Sequence, residues 1–189
     1  MSEIARSKKK LSTAEIVYIA VCAALMAVCS WISIPAPAPL APFTLQTFAV
    51  ILIVLLLGGR RGFFAVLCYI LLGAVGLPVF AQFTGGVGIL FGMTGGYIVG
   101  FLLTALVYWA LERATEERPL RRVAVLALGL LVCYAFGTAW FMVVYARRSG
   151  AIGLATALGW CVAPYLIPDA VKLALAWGLS SALKKHIRL

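Results

Sequence analysis

Acidic side chains are scarce in this sequence. Six occur among 189 residues (Glu3, Glu15, Glu112, Glu116, Glu117 and Asp169) against sixteen Lys and Arg, and charged residues reach only 12%. A soluble domain carries about 25% charged residues, so a soluble enzyme, a soluble nucleic-acid binder and a disordered chain are excluded. Histidine occurs once, as His186 in the polar C-terminal stretch. That absence removes Ser/His and Cys/His nucleophile pairs and any His-rich metal cluster, so an intramembrane enzyme has no machinery here. The five cysteines (Cys22, Cys29, Cys68, Cys133 and Cys161) are odd in number, lie in apolar stretches and form no CxxC. They read as buried small side chains rather than a disulfide frame or zinc site. No glycine-rich segment is followed by GK[ST], so there is no phosphate loop, and ATP-driven work would fall to another subunit. What the sequence has in abundance is apolar surface: 64% of it is hydrophobic. An integral membrane protein is what remains.

A membrane-spanning helix needs about 20 predominantly apolar residues. The runs 15–34, 43–58, 62–81, 89–111, 122–146 and 164–183 predict six transmembrane helices, the second rather short. Residues 1–14 read as a basic tail, 15–183 as one six-helix transmembrane domain and 184–189 as a second basic tail. The 33-residue run 151–183 is divided by Pro164 and Pro168. Proline suits the first turn of a helix, so the last helix is expected to start near Pro164, with 151–163 as an outer loop or interfacial segment. With both termini inside, the inner segments hold thirteen basic residues: Arg6, Lys8, Lys9, Lys10, Arg60, Arg61, Arg113, Arg118, Arg121, Arg122, Lys184, Lys185 and Arg188. The outer segments hold Arg147 and Arg148. That asymmetry follows the positive-inside rule and places both termini in the cytoplasm. The net charge of +10 thus reads as a topology signal, not an affinity for nucleic acid.

Asp169 is the only aspartate, and with Lys172 it lies inside the last apolar run. Residues three apart share a helical face. Intramembrane charges usually face the bundle interior and mark a substrate or ion path; the alternative is a mutually neutralising structural pair. The segment from Tyr165 to Lys172 therefore reads as the wall of a small-molecule site near the outer face, with a carboxylate to accept N–H bonds and an ammonium to donate. Two loops can complete a pocket. One holds Pro35, Pro37, Pro39 and Pro42, then Thr44, Gln46 and Thr47 at the head of the second run; Thr44 is either a helix cap or a ligand contact. The other carries Gln82, Thr84, Gly85 and Gly86. The spacing of Gly88, Gly92, Gly96 and Gly100 reads as a small-residue stripe for helix packing. The pairs Ala20/Ala24 and Ala23/Ala27 in the first helix, read from composition alone, are packing surfaces as well.

Pro42-Phe-Thr-Leu-Gln-Thr47, Gly73-Ala-Val-Gly-Leu-Pro-Val-Phe-Ala81, Gly85-Gly86, Gly92-Met-Thr-Gly-Gly-Tyr97 and Ile167-Pro-Asp-Ala-Val-Lys172, in that order, resemble the BioY family. These are the biotin-specific substrate-binding (S) components of energy-coupling factor (ECF) transporters. The resemblance covers nearly the whole chain. It implies a six-helix S-component bundle in a bacterial or archaeal cell membrane, with an outward-facing biotin pocket closed by the loops after the first and third helices. It carries the ligand role onto Asp169 and Lys172, and more loosely onto the glycine loop; Gln82 and Thr84 are candidates for a further polar ligand residue. It implies no cofactor, biotin being the transported ligand. It also turns the alanine face of the first helix (Ala20, Ala24, Ala23, Ala27) into a docking surface for a transmembrane coupling subunit, to which two ATPase subunits bind. Met93 stands where the family has proline, which bears on the start of the fourth helix.

Within biotin, the ureido N–H groups need an acceptor and the carbonyl a donor, which Asp169 and Lys172 supply; Lys172 is alternatively a partner for the valerate carboxylate. The rival readings are an S component for another vitamin and a self-sufficient proton-coupled carrier, in which Asp169 relays protons. Carriers of the second kind are often built from internal repeats, and the sequence shows no convincing one.

Overall fold

A helix that is hydrophobic all round belongs in the centre of its bundle. In the computed structural model, which describes residues 12–37, 40–115 and 118–185, that position is taken by α2 (Gln46–Leu57). Ala49, Val50, Ile51, Ile53 and Val54 are wholly buried, walled by α1 (Thr13–Trp31), α3 (Gly59–Ala74), α5 (Gly95–Leu111) and α8 (Ala163–Leu183). Twelve residues rise only about 18 Å, well short of the about 30 Å hydrocarbon core. Protein, not lipid, surrounds α2, which is how so short a helix fits. Alongside it, α6 (Pro119–Ser149) packs closely on α5, and α7 (Leu154–Cys161) leads into α8. Helices α1, α6, α8 and the stretch Gly95–Thr115 are long and apolar enough to cross a membrane. The chain is a multi-pass α-helical membrane protein.

One end of the bundle is fastened by charge. Ser12 and Glu15 form a reciprocal capping box at the start of α1, and Glu15 also pairs with Arg61 of α3 at 2.6 Å. Gly58, at φ 80°, is the whole connection between α2 and α3. Glu112, just beyond α5, accepts the Gly59 N–H at 3.0 Å and so caps α3. The other end carries the long loops.

The α5–α6 contact is close because glycine removes the side chains between the backbones. Gly96 lies under Trp140 and Gly100 against Cys133, while Gly129 of α6 meets Thr104 and Gly137 meets Tyr97. Thr104 Oγ1 donates to the carbonyls of Gly100 and Gly129, each at 3.0 Å. Only two of the four predicted stripe glycines take part. The predicted run 89–111 is broken into α4 (Val87–Leu90), a tight turn through Met93, and α5. Gly88 therefore lies in α4 and Gly92 in the turn, where its carbonyl accepts the Trp140 N–H of α6 at 3.0 Å while a side chain there would meet Ile89 of its own turn.

Other boundaries shift for local reasons. α3 stops at Ala74 rather than 81, because Gly76 enters a left-handed conformation (φ 103°) and Pro78 follows. The proline loop is closed by a two-residue antiparallel pair, β1 (Ser33–Ile34) with β2 (Phe43–Thr44), where only extended chain was expected. The segment 151–163 folds largely as α7. The basic residues Arg6, Lys8, Lys9, Lys10 and Arg188, together with His186, lie outside the described residues.

Candidate functional site

At the loop end the helices enclose a cavity of about 250 Å³. α8 contributes one helical stripe to it. Tyr165, Asp169, Lys172, Ala176 and Ser180 are its buried residues, spaced by three or four as a single face requires. Leu166, Ile167, Val171 and Leu175 look outward. Pro164 occupies the first turn, where a missing N–H costs little, and Pro168 lies inside the helix. The upper members of the buried stripe (Tyr165, Asp169, Lys172) line the cavity.

Asp169 and Lys172 are 4% and 9% exposed, and Lys172 Nζ donates to Asp169 Oδ1 at 2.7 Å. The other carboxylate oxygen, Oδ2, accepts the hydroxyl of Tyr134 from α6. Buried charges survive when paired and hydrogen-bonded, and Asp169 has both an ammonium and a phenol as partners. Tyr165 is committed elsewhere: its hydroxyl donates to the Ala41 carbonyl, and its ring stacks on Phe43 at 4.6 Å. It pins the proline loop to α8 across the cavity mouth.

Thr44 and Gln46 also line the cavity, with their hydrogen bonds largely spent inside the protein. Thr44 Oγ1 accepts the Gln46 backbone N–H at 3.3 Å and donates to Gln46 Oε1 at 2.9 Å. Gln46 Nε2 donates to the Tyr69 hydroxyl at 2.7 Å. Thr44 thus precedes the N-cap, Leu45, and holds the first N–H of α2 while facing the cavity.

The loop after α3 supplies Phe80, Ala81, Gln82 and Thr84 to the wall. Phe80 N donates to the Thr84 carbonyl at 2.9 Å, which pinches the loop into a narrow turn. At its tip Gln82 and Phe83 both adopt positive φ, 58° and 56°, a conformation uncommon outside glycine. The last turn of α1 holds this loop. Ser30 Oγ donates to the Val79 carbonyl at 2.5 Å, Trp31 Nε1 to the Pro78 carbonyl at 2.8 Å, and the Trp31 ring stacks on Phe83 at 5.0 Å.

The structure places two sets of expected residues apart from the cavity and the outer surface expected for them. Gly85 and Gly86 are absent from the cavity wall. A side chain at Gly85 would strike the Leu77 carbonyl, and Gly86 holds φ 96° while its N–H donates to Gly73. Both glycines shape the loop through their backbone. The alanine face also divides. Ala23 and Ala27 are buried in this chain's own core, which removes them from a docking surface, whereas Ala20 and Ala24 are exposed beside Val17, Val21 and Val28.

Several cavity residues escaped sequence reasoning, chiefly Tyr134 and Tyr97, with Cys133 and Cys161 beside them. The available signal was helical spacing: Leu130, Cys133 and Tyr134 lie three and four apart on α6, and so share a face.

The sequence profile of the BioY family matches residues 5–189. The chain belongs to the BioY family. The "Biotin transporter BioY" of Thermotoga maritima is 41% identical over 164 residues, covering 86% of this chain and 90% of its own. The "Probable biotin transporter BioY" of Pyrococcus horikoshii is 42% identical over 135 residues, 71% of this chain and 75% of its own. These BioY relatives are described as transporters, not as enzymes. A crystal structure of the S-component for biotin from an ECF-type ABC transporter superposes with a TM-score of 0.79. It covers 93% of this chain and 95% of its own at 22% identity, which shows a common fold.

Proposed function

We propose that this BioY-family chain is the S component of an ECF uptake transporter, capturing biotin at the outer face of the cell membrane. The observation that carries the reading is the Asp169–Lys172 pair, buried in the wall of a cavity at the loop end of the bundle. The names of the BioY relatives supply the ligand. A neutral ureido group suits a neutral acceptor–donor pair: Asp169 accepts an N–H and Lys172 donates to the carbonyl. Phe80, Tyr97 and Phe101 offer aromatic and apolar surface to the fused rings. The charged valerate end then points to the loops and water.

The basic clusters favour six crossings with both termini in the cytoplasm, which turns the cavity outward. Strand-like pairing of the proline loop and the pinched loop after α3 support a closing role for both. The sequence carries no ATPase motif, so inward delivery is assigned to a transmembrane coupling subunit with two ATPases, docked on Ala20 and Ala24. The ATP-driven step must favour a state that holds biotin less tightly, since a ligand shifts only states it binds differently.

Calorimetry on the purified chain tests the site. Biotin binds the unaltered protein, and Asp169→Asn and Lys172→Ala each weaken it by at least tenfold, the scale of a charged hydrogen bond. Unchanged affinity in both variants would sink the assignment. Biotin uptake by the isolated chain in vesicles, driven by a proton gradient alone, would favour the carrier reading instead.

A further inference from the structure

Tyr134 reaches Asp169 from a different helix, and the three groups Tyr134, Asp169 and Lys172 all line the cavity. An ionised carboxylate offers about four lone-pair sites. Here the phenol occupies one on Oδ2, and the ammonium, at 2.7 Å, occupies one on Oδ1. One lone pair remains on each oxygen, that on Oδ1 beside the Lys172 donor. The site therefore presents an acceptor next to a donor, neutral overall, within a cavity where charges interact more strongly than in water.

A neutral N–H/C=O edge is complementary to that arrangement. A guanidinium edge is not, because it carries donors only. One of its N–H groups would face the Lys172 ammonium. Both oxygens of the fork that a carboxylate ordinarily offers a guanidinium already carry a partner, Lys172 on Oδ1 and Tyr134 on Oδ2. We infer that Tyr134 is a positioning residue that sets specificity: by occupying one Asp169 oxygen it tunes the site to neutral cyclic ureas and against cationic analogues of the same shape. This rests on the ureido assignment proposed above.

The experiment compares two ligands on the purified full-length chain by calorimetry: biotin, and the biotin analogue whose ureido carbonyl is replaced to give a guanidinium, at a pH where it is cationic. The unaltered chain prefers biotin by about a hundredfold or more, as expected for an unmatched buried donor plus a like-charge contact. Tyr134→Phe weakens biotin by about tenfold and narrows the preference, because the freed Oδ2 accepts a second guanidinium N–H. Tyr134→His, which keeps a ring N–H donor, restores part of the preference. Near-equal binding of the two ligands by the unaltered chain overturns the inference, and that arm stands even where a variant fails to fold. So does a Tyr134→Phe protein with undiminished biotin affinity, or one that loses both ligands in equal proportion, as a merely structural role would produce. Absence of biotin binding by the unaltered chain strikes the functional reading itself, and this inference falls with it.

Discussion

A carboxylate and an ammonium 2.7 Å apart and almost out of water stabilise each other chiefly by sparing each other an uncompensated burial. Removing one partner is therefore worse than removing both. Lys172→Ala is expected to cost about 3–5 kcal/mol of stability, read from detergent-solubilised unfolding curves. The double variant Asp169→Leu/Lys172→Met is expected to recover most of that loss while losing biotin binding. A double variant no more stable than Lys172→Ala would show that the pair's contribution lies elsewhere. The pair was legible in the sequence because two charges in an apolar run have few physical excuses. Tyr134 was not, because a tyrosine in an apolar helix is unremarkable until a second helix brings Asp169 to its hydroxyl. The backbone role of Gly85 and Gly86 was hidden for a related reason. Glycine marks either a close ligand approach or a backbone need, and only the Leu77 carbonyl and the positive φ decide for the latter.

Between α1 and the loop after α3 lies a latch of two hydrogen bonds and one ring stack, built from Ser30, Trp31, Pro78, Val79 and Phe83. It restrains a turn whose tip holds Gln82 and Phe83 in left-handed backbone, a cost of order 1–3 kcal/mol per residue that the surroundings must offset. Trp31→Leu removes the stack and leaves the Pro78 carbonyl to water. Biotin dissociation is expected to accelerate about tenfold, with association little changed, since interface changes act mainly on the off-rate. Stopped-flow displacement measures both, and an unchanged off-rate would remove the latch from the account. Gly73→Ala acts on the same wall from behind. Its new methyl meets the Phe80 ring, itself packed edge-on to Tyr69 at 5.5 Å, and overpacking of this kind costs about 1–3 kcal/mol, seen as a lower melting temperature together with weaker biotin binding. Element existence was largely readable from apolar run length. Element ends were not: the break between α4 and α5 and the early stop of α3 come from tight turns at Gly76 and around Met93, which a hydropathy run passes over.

Across the whole molecule, α1 turns two neighbouring alanine stripes toward different surroundings, and the sequence could not separate them because both carry alanine at a spacing of four. Ala23 and Ala27 face the bundle at 1% and 6% exposure, where α1 meets α2 and α3. Ala20 and Ala24 face away from it among exposed valines. A larger side chain on the inner pair must displace packed neighbours, whereas on the outer pair it meets only lipid or a partner helix. Ala23→Leu is accordingly expected to lower stability by about 1–3 kcal/mol and to disturb biotin binding through the core. Ala24→Leu is expected to leave stability within about 0.5 kcal/mol and biotin affinity unchanged. On the docking proposal, however, it blocks the close helix approach that small residues permit in a membrane. Co-expression with the coupling subunit and its ATPases, followed by affinity purification, distinguishes the two faces: Ala24→Leu should fall out of the complex while still binding biotin. If it co-purifies like the unaltered chain, the outward alanines are a lipid-facing surface and docking lies on another helix.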